Sequence, residues 1–189
     1  MIIDPATGFI VGVRRVLSPN YDERPLGAEL GLIVVHGISL PPGEFGNGWI
    51  DRFFCNDLPA DAHPYFATMC NLTVSAHVLI ARDGALTQYV PFDRRAWHAG
   101  KSEYCGRATC NDFSVGIELE GTDDAPFEPA QYVALVSLIR RLQNTLPIRD
   151  IAPPTRRRRA ARRPGSRSGP RDRSSAPWGS RRSPCPGRS

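Results

Sequence analysis

The stretch Asn111-Asp112-Phe113-Ser114-Val115-Gly116-Ile117-Glu118-Leu119-Glu120-Gly121 constrains the fold of this chain most strongly. Phe113, Val115, Ile117 and Leu119 alternate with Ser114, Gly116, Glu118 and Glu120. Side chains on a β-strand point to opposite faces in turn, so a period of two predicts a strand with one apolar and one polar face. Both carboxylates fall on the polar face. Gly116, on that same face, leaves room for another group to approach the backbone. Two acids on a strand are compatible with a merely solvated surface. A second stretch that could lie beside them gives them a chemical reading: Leu32-Ile33-Val34-Val35-His36.

Leu32 to Val35 is an unbroken aliphatic run, as expected of a central strand buried on both faces. His36 stands at its carboxyl end, where the chain opens into the Gly/Pro-rich loop Gly37 to Gly46. Strand ends that open into such loops commonly carry site residues. Residues 1–30 are turn-rich and predict an irregular arm packed on the domain. Trp49 to Leu58 predicts a short helix with Trp49, Ile50, Phe53 and Phe54 turned inward. Val74 to Ala81 and Leu86 to Phe92 flank Arg82-Asp83-Gly84, a hairpin signal. Pro129 to Leu146 predicts a helix, with Tyr132, Leu135, Val136, Ile139 and Leu142 on its buried stripe. Pro129 suits the first helical position, and Glu128 is a weak cap.

The net charge of +5 hides a division. Residues 1–148 carry 11 basic and 17 acidic side chains, whereas residues 149–189 carry 13 arginines against Asp150 and Asp172. The basic character therefore belongs to the tail and says nothing about the partners of the domain. From Ala152 to Ser189 there is no Val, Leu, Ile, Met, Phe or Tyr. Such a segment cannot bury enough apolar surface to offset the entropy of ordering, so disorder is expected over 151–189. Its arginines could hold nucleic acid only non-specifically, through phosphates. No apolar run is long enough to span a bilayer, and Met1-Ile2-Ile3-Asp4-Pro5 does not read as an export signal, so a cytoplasmic location is expected. The cysteines, 55, 70, 105, 110 and 185, are odd in number and form no CxxC pair, which favours free thiols.

Several segments, in order, resemble the AmpD-type family of N-acetylmuramoyl-L-alanine amidases, relatives of phage lysozyme-type amidases and peptidoglycan recognition proteins. They are Val34 to Gly46, Ala62-His63-Pro64-Tyr65-Phe66, Val74-Ser75-Ala76-His77, Gln88 to Asp93, Arg95-Ala96-Trp97-His98-Ala99-Gly100 and Cys110 to Asp123. The resemblance covers about residues 10–150. It implies an α/β (α+β) fold in which a mixed central β-sheet is flanked by helices, with one Zn2+ at the end of a central strand. The implied reaction is cleavage of the amide between the lactyl group of N-acetylmuramic acid and L-alanine, during cytoplasmic peptidoglycan recycling. The implied partner is a muropeptide or peptidoglycan fragment, with no membrane and no specific nucleic acid. By the same resemblance His36 is a zinc ligand and Glu118 the general acid/base. Glu120, on the same face, is then structural or supports the site from behind its ligands. Tyr65, His77, Trp97 and His98 are the candidate substrate-binding residues.

The family pattern has a second His, an Asp and a Lys after the long helix. Here no His follows His98, no Lys follows Lys101, and only Asp150 and Asp172 follow the helix. Gly37 stands where the family often has Asn. Large aliphatic residues vanish at the point where the last ligand segment is due, and Arg, Pro, Ala and Gly are what a GC-rich gene yields in a shifted frame. The expected organisation is an arm over 1–30, an incomplete amidase domain over 31–150 and a tail over 151–189. Two further readings stay open: a muropeptide-binding module without catalysis, and a polyanion-binding protein acting through the tail.

Overall fold

The computed structural model describes residues 1–122 and 125–152. In chain order the strands are β1 (Arg14–Arg15), β2 (Tyr21–Asp22), β3 (Leu32–Ile38), β4 (Val78–Ile80), β5 (Leu86–Gln88), β6 (Arg95–Ala96), β7 (Glu103–Tyr104), β8 (Arg107–Ala108), β9 (Ser114–Glu120) and β10 (Asp150–Ala152). The α-helices are α1 (Trp49–Phe54) and α2 (Pro129–Thr145), and short 3-10 turns cover Phe66–Thr68 and Cys110–Phe113. Six strands form one sheet in the order β1-β5-β4-β9-β3-β10. The β4–β5 hairpin is antiparallel and the other neighbours are parallel, so the sheet is mixed.

The alternating stretch becomes β9, at the centre of the sheet. Val115, Ile117 and Leu119 pack on one face with Ile33, Val35, Val78, Ile80 and α2 residues Leu138 and Leu142. On the other side, α1 contributes Ile50, Phe53 and Phe54 to a second apolar cluster with Leu79 and Tyr89. The sheet flanked by helices is thus the expected architecture. The polar face of β9 differs from expectation. Every residue from Ser114 to Glu120 is buried, both glutamates included. Loops fold over that face and cover it.

The arm over 1–30 is pinned to the domain. Arg14 and Arg15 pair in parallel with Thr87 and Gln88, and β2 pairs antiparallel with β6. The Arg95 guanidinium grips Asp22 at 2.7 Å through Nε and Asp112 at 2.6 Å through Nη1. At the other end, β10 extends the sheet as a parallel neighbour of β3 through Ala152, two residues beyond 150. The expectation of disorder beyond it falls on 153–189, outside the described residues. Cys55, Cys70 and Cys110 are free thiols. Cys105 lies in the turn between β7 and β8, with a left-handed φ of 49°.

Helix α2 has the expected extent, and of its expected stripe Leu135, Ile139 and Leu142 pack on the core while Tyr132 and Val136 turn outward, a partial rotation. Gln131, Leu138 and Leu142 are buried, whereas Tyr132, Val133 and Val136 are exposed. Gln131 explains the rotation. Its Nε2 donates to the carbonyls of Ile80 and Glu120, both at 3.0 Å, and its Oε1 accepts the Glu128 N–H at 2.9 Å. One buried amide thereby satisfies the ends of β4 and β9 and the start of the helix, and it fixes which stripe turns inward.

Candidate active site

The parallel register of β3 and β9 sets Leu32 opposite Ser114, Val34 opposite Gly116 and His36 opposite Glu118. Directly paired residues of parallel strands point to the same side of the sheet, one strand spacing apart, about 4.8 Å. The imidazole and the carboxylate therefore share a face at the carboxyl ends of two adjacent strands. Leu79 of β4 is paired with Glu118 from the other side and walls the carboxylate with apolar surface.

His98 enters this face from the segment after β6. Its ring lies over Gly116, so closely that a Cβ at position 116 would come within 2.3 Å of the ring. The room left by this glycine is filled by an imidazole. The His98 and Ala99 backbone N–H groups both donate to Asn111 Oδ1, at 3.2 and 2.9 Å. His98 Nδ1 is 3.0 Å from His36 Nε2, and His98 Nε2 is 3.1 Å from Ser114 Oγ. Burial, the rings of His36 and His77 and the cation of Arg24 together hold His98 well below the ordinary histidine pKa.

His77, expected to meet substrate, is instead fully buried beneath His98, with ring centroids 5.9 Å apart. Its Nδ1 accepts the Gly116 N–H at 2.9 Å, so the neutral ring carries its proton on Nε2 and donates it to the Arg94 carbonyl at 3.1 Å. Both nitrogens are spent on backbone. Burial above all, and then Arg24, depresses its pKa to about 3. This histidine ties β4, β9 and the Arg94 turn together and leaves no lone pair for a ligand.

Arg24, from the irregular arm, carries no sequence signal of its importance. Its Nη1 donates to the carbonyls of Asn111 and Asp112 at 3.0 and 3.1 Å, and its Nη2 to that of Ser114 at 3.1 Å. Burial lowers its pKa to about 10. The guanidinium thus stitches the arm to the chain entering β9. Asn111 and Gln131 were equally invisible, because each acts through backbone groups that only the fold brings near.

Glu120 is buried and accepts the Gly46 N–H at 2.6 Å and the Arg82 N–H at 3.3 Å. It fastens the loop after β3 and the β4–β5 turn to the sheet. Trp97 is half-buried. Its backbone N–H donates to Ser75 Oγ at 3.0 Å and its indole N–H to Asp22 at 3.1 Å, so its polar atom is engaged with the arm. Tyr65 is 39% exposed at the head of the Phe66–Thr68 turn. The fold thus gathers His36, His98 and Glu118, with His77 as their support. Trp97 and Tyr65 make their contacts elsewhere.

A catalytic zinc takes three protein ligands and leaves one position open. Among the described residues no group of three or more His, Cys, Asp or Glu could hold a metal ion. Asp150, the one described acid after α2, is paired with Leu32 at the far end of β3. Four residue steps along the strand separate Leu32 from His36, about 13 Å. The described residues therefore do not fit a complete zinc site.

An imidazole and a carboxylate thus meet at the carboxyl ends of adjacent parallel strands, in a mixed sheet with helices on both faces. A sequence profile described as N-acetylmuramoyl-L-alanine amidase matches residues 28–188, a span that runs past the point near 150 where the motif resemblance ends. The 1,6-anhydro-N-acetylmuramyl-L-alanine amidase AmpD of Salmonella typhimurium (strain SL1344) is 57% identical over 143 residues, 76% of each chain. AmpD of Escherichia coli (strain K12) is 57% identical over 145 residues, covering 77% of this chain and 78% of its own. The crystal structure of a selenomethionine AmpD derivative superposes with a TM-score of 0.78 and 52% identity, covering 81% of this chain and 86% of that one. The chain belongs to the N-acetylmuramoyl-L-alanine amidase family, in its AmpD-type branch. No described helix is long and apolar enough to cross a membrane.

Proposed function

We propose that this chain recognises 1,6-anhydro-N-acetylmuramyl-L-alanine peptides in the cytoplasm and is built to cleave the amide between the lactyl group and L-alanine. The observation that carries the reading is the register that pairs His36 with Glu118 on one face of the sheet. In it, Glu118 is the general acid/base, taking a proton from the attacking water and returning it to the leaving amine. Its apolar wall, Leu79, keeps bulk water from competing for that proton. His36 is the Zn2+ ligand supplied by this part of the chain. His98 lies beside His36, and Tyr65 and Trp97 are further candidates to meet the sugar or peptide.

In the sequence no His follows His98, so the second histidine ligand of the family pattern is lacking, and this limits the activity. A complete zinc ligand set contributes roughly 10–16 kcal/mol of binding free energy, and a single histidine forgoes most of it. Weak zinc binding and little or no turnover are therefore expected of this polypeptide, with muropeptide binding retained. The test combines metal analysis of the purified protein, chromatography of an anhydromuropeptide incubated with it, and calorimetric titration of the same muropeptide. Binding without stoichiometric zinc and without cleavage is the expected result. Stoichiometric zinc with turnover would overturn the impairment, and absence of both binding and cleavage would overturn the muropeptide reading.

A further inference from the structure

We propose that Glu120 is a positioning residue for ligand binding: it clasps the loop between β3 and α1 onto the end of β9, and loosening that clasp weakens the grip on a muropeptide. The loop covers residues 39–48. Residues 42–48 are all exposed, so little apolar burial fixes where it lies. Its internal bonds, from the Gly43 N–H to Ser39 Oγ at 3.1 Å and from Asn47 Nδ2 to the Leu40 carbonyl at 2.6 Å, shape the loop without tying it to the sheet. Glu120 supplies the tie. Its Oε1 accepts the Gly46 N–H at 2.6 Å and its Oε2 the Arg82 N–H at 3.3 Å, and the residue is only 4% exposed. Hydrogen bonds to a carboxylate are stronger than those between neutral groups. A second fastening lies outside the first. The Arg82 guanidinium sits 4.9 Å from the centre of the Phe45 ring. Arg82 is itself braced by the Pro126 carbonyl at 3.2 Å and by an ion pair with Glu128, at the head of α2.

The clasp lies next to the candidate site. Residues two apart on a strand share a face about 7 Å apart. Glu120 is one such step beyond Glu118, and the register that pairs His36 with Glu118 pairs Ile38 with Glu120. Gly46, bonded to Glu120, is thereby held beside the end of β9 that carries Glu118. A ligand lying across that end meets the loop in the place the clasp gives it. The affinity for such a ligand scales with the fraction of molecules in which the loop is in place. If removing the carboxylate leaves the loop in place about one-tenth of the time, the apparent affinity falls about tenfold. This consequence rests on the muropeptide reading above, whereas the clasp itself does not.

The experiment pairs two measurements on the full chain and its variants: amide hydrogen exchange at Gly46 and Arg82 by nuclear magnetic resonance, and calorimetric titration of an anhydromuropeptide. In Glu120→Ala, both amides should exchange faster and binding should weaken about tenfold. Glu120→Gln keeps one acceptor oxygen, enough for the Gly46 N–H but not for both donors, so it should fall between wild type and Glu120→Ala in exchange and in affinity. Phe45→Ala removes the outer fastening at an exposed ring and should speed exchange at Gly46 to a smaller degree. Should Glu120→Ala fail to fold, Glu120→Gln and Phe45→Ala carry the same measurements. Unchanged exchange at Gly46 in the Glu120 variants would overturn the proposal. Faster exchange with unchanged affinity would also overturn it, because Glu120 would then serve the fold alone. If the wild-type chain takes up no muropeptide, the muropeptide reading falls and the affinity claim with it, while exchange at Gly46 still decides the clasp.

Discussion

The two faces of β9 are equally buried but held by opposite means. On one, Val115, Ile117 and Leu119 sink into a continuous apolar layer under α2. On the other, Ser114, Gly116, Glu118 and Glu120 lie beneath loops that return over the sheet. The apolar face is bound by area, which is non-directional and tolerates small displacements. The polar face is bound by pairings with fixed geometry, such as Glu120 to two backbone N–H groups and Ser114 to Cys110 and His98. Burying polar groups is costly unless each finds its partner, so this face is held in one arrangement. The first face sets how stable the strand is, and the second sets where His36, His98 and Glu118 stand.

Substitutions that separate the two faces sharpen this comparison. Ile117→Ala, in the apolar layer, should cost about 2–5 kcal/mol in chemical denaturation while leaving the 3.0 Å contact between His36 and His98 in place. Acid should act on the polar face instead. The pKa of His77 lies near 3 in the folded chain against an ordinary 6.5, so the unfolded chain binds the extra proton first as pH falls. The stability His77 contributes is complete above about pH 6.5 and declines toward pH 3, by up to ~1.4 kcal/mol per pH unit. Denaturation across that window should show the slope, and His77→Gln should flatten it.

Smaller effects follow in order. Gly116→Ala places a methyl against the anchored His98 ring and should cost about 1–3 kcal/mol, with displaced His98 resonances as its signature. Val136→Ser tests the rotated face of α2. Val136 is 46% exposed, so the change should stay within about 0.5 kcal/mol in the same denaturation assay. A loss of several kcal/mol there would mean that the stripe suggested by apolar spacing is the buried one after all.

The parts of the fold legible in the sequence are those written in apolar periodicity. The strand at Ser114–Glu120, the run at Leu32–Val35, the hairpin around Asp83-Gly84 and the span of α2 all lie where spacing and turn residues put them. The nearness of His36 and Glu118 was legible through the resemblance to the amidase family, which assigns both to one site, and the register of β3 and β9 pairs them. What spacing cannot express is a polar residue serving as an interior anchor. Gln131 shifts the buried stripe of α2, so that Leu135, Ile139 and Leu142 face the core as expected while Tyr132 and Val136 are exposed, because two strand-end carbonyls need its amide. Arg24 and His77 look like surface or site residues until the fold supplies the carbonyls and N–H groups that consume them. His98 was expected near the site, but its contact with His36 depends on a loop folding over a glycine 18 residues later in the chain.

The most direct test of the central claim is a crystal structure of the chain grown with an anhydromuropeptide. The expected result is a ligand whose lactyl–alanine amide lies within hydrogen-bonding reach of the Glu118 carboxylate, beside the His36 ring. A muropeptide bound elsewhere on the molecule, or a refined register that separates His36 from Glu118, would contradict it.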